Sequence, residues 1–568
     1  MSKKRIIIAI LLLILAAILI GGILILNDTK KMKQDASVIK SELKTTVTAI
    51  KDNDIKNADK SIGKIKESNN ELSAKLNSPL WKLVEKMPIV GNDIKSANKL
   101  VTVLNSAIDE IADPALSTFK EHPLDKLKVD DGFDVISINA YIDLLDKVAP
   151  FLEKNENNFK GISFRFVNIG DAQKYFDTLS NFSKNYDSIK SYVELLKAYI
   201  GNGEDRLYLI AAQNSAEIRA SGGFPGSIGT IKIEDGILSI GDFNPVYQVL
   251  ASVNPSSAAA TTEELSYFTF WVNYPRDACY NPYFERVAFM MAKGYEAKMG
   301  DEIDGVISLA PQIIQEILKT TNEKVTLSDG TVLDGTNATK VLQHNIYYKY
   351  FSKATTTGAS NNKCDELFAE TAKQTMALFT EKFSIDSFAK YIDIFKNGAK
   401  DRIVLLWHSD EKTQQLIRDL NCAGSLASDN ATGVYFSCSV PSKLGWYFDL
   451  DTKVNPPKTN SDGTKTYTVN VTLSNILTNE DIKNCGNYIL GDNAGTIVGN
   501  VHLVAPTDGT ISDIKGIHTN QGEYQGFDIY NAIGLSIRKD NPITFSYKVT
   551  TKSKDLEVWS TPTLQDYR

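Results

Sequence analysis

The sequence predicts an α+β multidomain protein: an N-terminal transmembrane helix and helical stalk, a central α/β layered domain and a C-terminal antiparallel β-sandwich. Three observations carry this prediction. The chain opens with a long uncharged run, continues with apolar residues at alternating spacings of three and four, and from Arg206 switches to strand-length apolar runs. The 568 residues, 42% hydrophobic and 23% charged, are enough for several cores of ordinary composition. The net charge of −7 has no basic block beyond the first lysines, so no nucleic-acid partner is expected.

Ile6 to Leu26 is the uncharged run, long enough to cross roughly 30 Å of hydrocarbon as a helix. It exceeds the apolar core of a signal peptide, and no A-x-A site follows it, which predicts an uncleaved anchor. Lys3, Lys4 and Arg5 on one side nearly balance Lys30, Lys31 and Lys33 on the other. A single anchor ahead of a large domain then predicts a single-pass cell-membrane protein with the bulk of the chain extracytoplasmic. The anchor is assigned to residues 1–30, and the membrane is a partner through this one helix.

Residues 31–203 read as a helical bundle or stalk. Ile55, Ala58, Ile62, Ile65, Leu72 and Leu76 form a heptad-like seam in which Asn69 fills one slot. Pro88 and Gly91 break it, Asp93 is offered as an N-cap, and Ile94, Ala97, Leu100, Val101, Leu104, Ile108 and Ile111 resume it. A further helical stretch runs from about Asn139 to Ile200, interrupted near "KGISFRFVNIGD".

Residues 204–420 read as the central α/β domain. "LYLIAA" and "FTFWVNY" have strand length, "TIKIEDGILSI" reads as a hairpin, and helical patterns follow at Tyr283–Lys298, Ala310–Thr320, Ala338–Tyr350 and Asp365–Lys382. Residues 421–568 carry short strand-like runs separated by turn clusters such as "NPPKTNSDGTK", the signature of a β-sandwich. The five cysteines show no zinc spacing. Cys422 and Cys438, flanking a loop-like stretch, are the pair to expect as a disulfide in an oxidising compartment, with buried thiols as the alternative.

No nucleophile elbow, zinc-protease, P-loop or dinucleotide motif is present. Of the five histidines, His344 beside Gln343 is the one that invites attention. Chemistry is instead suggested where the first strand empties into polar residues. Gln213 and Asn214 end it, Glu217 and Arg219 follow, and Ser221-Gly222-Gly223 makes a turn at what would be the carboxyl end of an α/β strand. "WVNYPRDACYNPYFERVAFMM" repeats the pattern with Arg276, Asp277 and, on the next helix, Arg286. Guanidinium groups suit phosphate, and a carboxylate beside them suits Mg²⁺. The alternative is structural: the glycines permit positive φ and the charges pair locally.

The runs "LYLIAAQNSAEIRASGGFPGS", "YPRDACYNPYFERVA", "IDGVISLAP" and "LDGTNATKVLQHNIY" resemble the bacterial family called domain of unknown function 4012, over most of the chain. More distantly, the order of pieces resembles the LytR–CpsA–Psr family, anchored enzymes that transfer polyprenyl-pyrophosphate-linked glycopolymers to the cell wall. Its motifs are matched by Pro275-Arg276-Asp277, Ile303-Asp304-Gly305 and Leu333-Asp334-Gly335. The chain departs where that family has an Arg followed two residues later by Asp: here Arg219 is followed by Ser221, with Glu217 as a substitute. Gln343 stands at an Arg position, and Lys373-Gln374 at an Arg-Gln pair.

The resemblance implies a cell-envelope protein whose central domain is a glycopolymer or phosphate-ester transferase. Glu217, Arg219, Arg276 and Asp277 would be its catalytic groups, with Asp277 the metal ligand and Mg²⁺ the cofactor. Gln213, Asn214, Arg286, Gln343 and Lys373 would bind the ligand, a polyprenyl-phosphate-linked glycan or wall polymer. The alternative function is a non-catalytic envelope protein that binds a wall polymer or protein partner.

Overall fold

The computed structural model describes residues 30–52, 54–88, 90–123, 126–129, 132–160, 162, 190–353, 359–382 and 385–568. They divide into two compact units. One comprises the chain up to Glu204 with Ile233–Ser239 and Ser384–Ala389. The other comprises Asp205–Lys232, Ile240–Phe383 and Lys390–Arg568.

The first unit is mainly helical: α1 (Lys30–Lys51), α2 (Ile55–Leu76), α3 (Gly91–Ala107), α4 (Asp113–Glu121) and α5 (Val135–Lys160). The side chain of Asp54 caps α2 by accepting from the Asn57 amide at 3.0 Å. The seam of α2 is buried in one cluster with Leu100, Val101, Leu104 and Ile108. Asn69 sits inside it, donating to the Val101 carbonyl at 3.0 Å and to Asn105 Oδ1 at 2.7 Å. A polar group at a seam position is tolerated when it finds such partners, and it fixes the register of the pair. Asp93 is not the cap of α3 but a buried first-turn residue, since the helix already begins at Gly91.

The second unit begins with β1 (Arg206–Asn214). It lies beside β2 (Phe224–Glu234) and pairs in parallel with β3 (Gly305–Leu309), Tyr208 opposite Gly305 and Ala212 opposite Leu309. β4 (Val404–His408) closes the other side of β3, antiparallel. The "FTFWVNY" segment is not the strand its composition suggests. A capping box of Thr261 and Glu264 starts a helix, α6 (Thr262–Phe268), and Thr269 at φ 114° ends it. Single 3₁₀ turns then cover Phe270–Asn273 and Pro275–Tyr280.

One face of the sheet is covered by α7 (Phe284–Met299), whose Phe284, Val287, Met290 and Met291 pack on Leu209, Ala211, Val306 and Leu405. On α8 (Gln312–Thr321), Ile313 and Ile317 pack with Val404. Then come α9 (Ile346–Phe351) and α10 (Ala359–Lys382).

The longer strands of the C-terminal part are β5 (Ala431–Cys438), β6 (Phe448–Val454), β7 (Lys465–Asn475), β8 (Ile497–Val504), β9 (Thr510–Lys515), β10 (Asn520–Tyr524), β11 (Phe527–Ile537), β12 (Ile543–Thr551) and β13 (Glu557–Ser560). They make two sheets, ordered β10-β11-β8-β5-β13 and β6-β7-β12-β9. Phe436, Val501 and Leu503 of the first share a core with Val469, Val471, Phe545 and Tyr547 of the second.

The expected fold class is corrected on two counts. The chain is a mixed α/β protein with several open sheets, and β13 runs parallel to β5, so the C-terminal sheets are not wholly antiparallel. Among the described residues no helix is long and apolar enough to cross a membrane. The longest, α5, carries Asp143, Asp146, Lys147, Glu153 and Lys154 along its length. Ile6 to Leu26 lies outside the described residues. The transmembrane helix and the single-pass membrane placement are therefore withdrawn.

The cysteines are also settled differently. All five are free and buried. Cys422 contacts the Leu420 carbonyl at 3.5 Å and Cys438 that of Val440 at 3.1 Å, so each thiol is satisfied locally rather than bridged to the other.

Candidate functional site

Because β1 and β3 run parallel, Gln213 and Asn214 end at the same sheet edge as Leu309, the edge at which open α/β sheets hold ligands. A cavity of about 250 Å³ lies there. Its walls are mostly apolar: Ile210 and Phe224 from β1 and β2, Ile313, Ile314 and Ile317 from α8, and Phe368 and Met376 from α10. Its polar side chains include Gln213, Asn214, Arg276, Asp365, Thr375 and Lys443. An apolar pocket with a few placed polar groups is the usual form of a small-molecule site.

Arg276 supplies the guanidinium in this lining. Its side chain is 45% exposed, its Nε donates to Asp277 Oδ2 at 3.1 Å, and its face lies 5.8 Å from the Tyr274 ring. Its terminal nitrogens make no hydrogen bond among the described residues. They are free to form the planar two-pronged bond that suits a phosphate oxygen pair. Asp277 is buried and does not line the cavity. Burial raises its carboxyl above the usual range, against the pull of Arg276.

Glu217 and Arg219 are not at an open cleft. Arg219 is 2% exposed, its Nη2 donating to Glu217 Oε1 at 2.7 Å and its guanidinium stacked 4.2 Å from the Tyr280 ring. Lys443 reaches Glu217 Oε2 from the other side and lies 5.5 Å from the Tyr347 ring and 5.3 Å from that of Tyr488. Burial alone would neutralise all three groups. The opposite charges outweigh it, holding Glu217 below the ordinary carboxylate range and both cations above theirs.

The backbone around this triad is equally committed. The Ala220 amide donates to Ser437 Oγ at 2.8 Å, the Cys438 amide to the Ile218 carbonyl at 3.2 Å, and the Gly445 amide to the Ala216 carbonyl at 2.7 Å. Gly223, at φ 148°, is required because a Cβ there would stand 2.6 Å from the Asn214 carbonyl oxygen. The polar stretch after β1 is thus a buried clasp between the central sheet and β5.

The other expected residues separate into three groups. Gln213 and Asn214 reach the cavity, Asn214 donating to the Tyr347 hydroxyl. Gln343 lies behind it, its Oε1 accepting from the Ala216 amide at 2.7 Å. Arg286 and Lys373 are outside the lining. Arg286 is held by Glu264 at 2.8 Å, and Lys373 is an exposed side chain 3.7 Å from Asp242.

His344 contacts Asn345 and the Tyr447 hydroxyl and packs beside Trp446, and burial lowers its pKa. The remaining motif aspartates hold backbone: Asp304 accepts from the Leu207 amide at 2.8 Å and Asp334 from that of Thr336 at 2.9 Å.

The donor set does not fit Mg²⁺. Asp277 offers one carboxylate already bonded to Arg276, with burial favouring its neutral form, and Glu217 is bonded on both oxygens. Among the described residues no three His, Cys, Asp or Glu groups converge as metal ligands.

Lys443, Asp365, Thr375, Tyr347 and Tyr488 are among the lining residues that sequence reasoning missed. Lys443 gives one signal, a lone charge in the apolar run "VPSKLGWY", but its partner Glu217 is 226 residues away. For Glu217 and Arg219 the signal is in "SAEIRAS", where Ala216, Ile218 and Ala220 alternate with them and are all buried. The stretch forms turns and bends, and every residue in it but Glu217 is buried.

Residues 203–347 match the family model described as protein of unknown function (DUF4012). The resemblance to that family therefore holds over this stretch, which carries Gln213, Asn214, Glu217, Arg219, Arg276, Asp277, Arg286 and Gln343 but not Lys373 or Lys443. The chain matches no curated protein and no solved structure.

Proposed function

We propose that the cavity at the ends of β1 and β3 binds an amphiphilic phosphate ester, with its phosphate on Arg276 and its hydrocarbon between α8 and α10. The observation that carries this reading is the unspent guanidinium of Arg276 at the edge of a mostly apolar cavity. Lys443 is a second cation in the lining, paired with Glu217, and the Asp365 carboxyl in the same wall has its pKa raised by burial. The likeness of Pro275-Arg276-Asp277 to the LytR–CpsA–Psr motif supports a polyprenyl-phosphate-linked glycan as the ligand class.

Binding without transfer is the better-supported role. The groups that the resemblance would put at a reacting centre, Glu217 and Arg219, are occupied with each other and with Lys443.

Titration calorimetry of the full chain with dodecyl phosphate tests this. A hydrogen bond to a charged group contributes roughly 1.5–3 kcal/mol. Arg276→Ala should therefore weaken binding about ten- to a hundredfold by the usual conversion. Its unfolding midpoint should stay close to the parent's, because Arg276 is 45% exposed and burial favours the neutral form of the Asp277 it leaves behind. Unchanged affinity in Arg276→Ala, or no binding to the parent chain, would remove the reading.

A further inference from the structure

Two side chains in the cavity are left incomplete in a way that specifies more than an anion and a hydrocarbon. Gln213 is 4% exposed, and its Nε2 donates to Ser308 Oγ on β3 at 3.0 Å. That bond fixes the amide plane, and Oε1 has no partner. Thr375, 2% exposed on α10, has an unpartnered Oγ1. Its neighbour one turn earlier, Thr371, lines the same cavity and is satisfied in the ordinary helical manner, donating to the Leu367 carbonyl at 2.7 Å. Buried polar atoms without partners are uncommon and costly, and two in the wall of one cavity call for a common partner class.

Resting on the phosphate-ester reading, we infer that the cavity prefers amphiphilic phosphates that carry a free hydroxyl near the phosphate, and that Gln213 and Thr375 are its specificity-determining residues. A hydroxyl both donates and accepts. It can give its hydrogen to Gln213 Oε1, and it can accept from or donate to Thr375 Oγ1. A plain alkyl phosphate offers neither and would bury both atoms against methylene groups. Sites built to hydrogen-bond a ligand hydroxyl reject the analogue lacking it far more strongly than apolar pockets reject an added one. The inference survives rotation of the Gln213 amide, since the unpartnered atom would then be a donor and a hydroxyl also accepts.

The test uses the full chain and two probes that differ by one oxygen, 1-O-decylglycerol 3-phosphate and 3-(decyloxy)propyl phosphate. The parent should bind the hydroxylated probe about tenfold or more tightly than its deoxy counterpart. Gln213→Leu and Thr375→Val should each bring that ratio toward one while the deoxy probe binds as well as before or better. Thr375→Val keeps the side-chain shape and breaks no hydrogen bond among the described residues, so it serves if Gln213→Leu fails to fold. A ratio near one in the parent, or a ratio unchanged in both variants, overturns the inference and leaves phosphate binding standing. Failure of both probes to bind the parent overturns the phosphate reading itself.

Discussion

Glu217→Gln should destabilise the protein by about 3–5 kcal/mol, the cost of removing one partner from a buried ion pair. The carboxylate neutralises two cations, Arg219 and Lys443, whose side chains are 2% and 7% exposed. Glutamine keeps the shape and part of the hydrogen bonding but none of the charge. Both cations would then sit among Tyr280, Tyr347 and Tyr488 without an anion. Urea unfolding of parent and variant measures the effect. Adding Lys443→Met to Glu217→Gln should recover part of the loss, because the triad is one coupled unit.

The same charges set a sign with pH. Glu217 has a folded pKa below its ordinary value, so its contribution is present above the unfolded carboxylate range and is lost as pH falls through the folded value. A catalytic Glu217, which the sequence suggests, would give the inverse pattern, with stability intact and only turnover affected.

Stability should also fall by roughly 3 kcal/mol between pH 6.5 and 4 through His502 alone. The ring is fully buried on β8, its Nδ1 2.7 Å from Asn531 Oδ1 and its face met edge-on by Phe268 at 5.1 Å between centroids. Burial pushes its pKa from the ordinary 6.5 down to about 4, against the weaker opposing effect of Asn531. The unfolded chain therefore binds a proton across that interval when the folded chain does not. The contribution is whole above pH 6.5, declines as pH falls and is gone below about 4. His502→Gln cannot titrate, so the difference in unfolding free energy between parent and variant should shrink steadily from pH 7 to pH 4. A constant difference would place the ring in a more polar setting than its neighbours provide.

These two sites illustrate what was legible in the sequence. Periodicity located the long elements closely: the pattern at Tyr283–Lys298 is α7 at Phe284–Met299, and the polar slot at Asn69 is a real break in a buried seam. Local chemistry also placed Gln213, Asn214 and Arg276 around one ligand-sized space. What escaped depends on distance along the chain. Glu217 and Arg219 look like a loop's reactive charges until Lys443 arrives from beyond β5, and nothing near them announces that partner. "FTFWVNY" has strand composition, yet the capping box at Thr261 and the positive φ at Thr269 override that propensity. Cys422 and Cys438 flank a loop-like stretch in sequence, but each thiol settles on a nearby carbonyl.

The most direct test of the central claim is a crystal structure of the full chain with dodecyl phosphate bound. The account predicts density for the phosphate within hydrogen-bond reach of the Arg276 terminal nitrogens, with the alkyl chain running between Ile313 and Ile317 of α8 and Phe368 of α10. Ligand density elsewhere with an empty cavity, or side chains collapsed into that space with Arg276 turned to solvent, would contradict it.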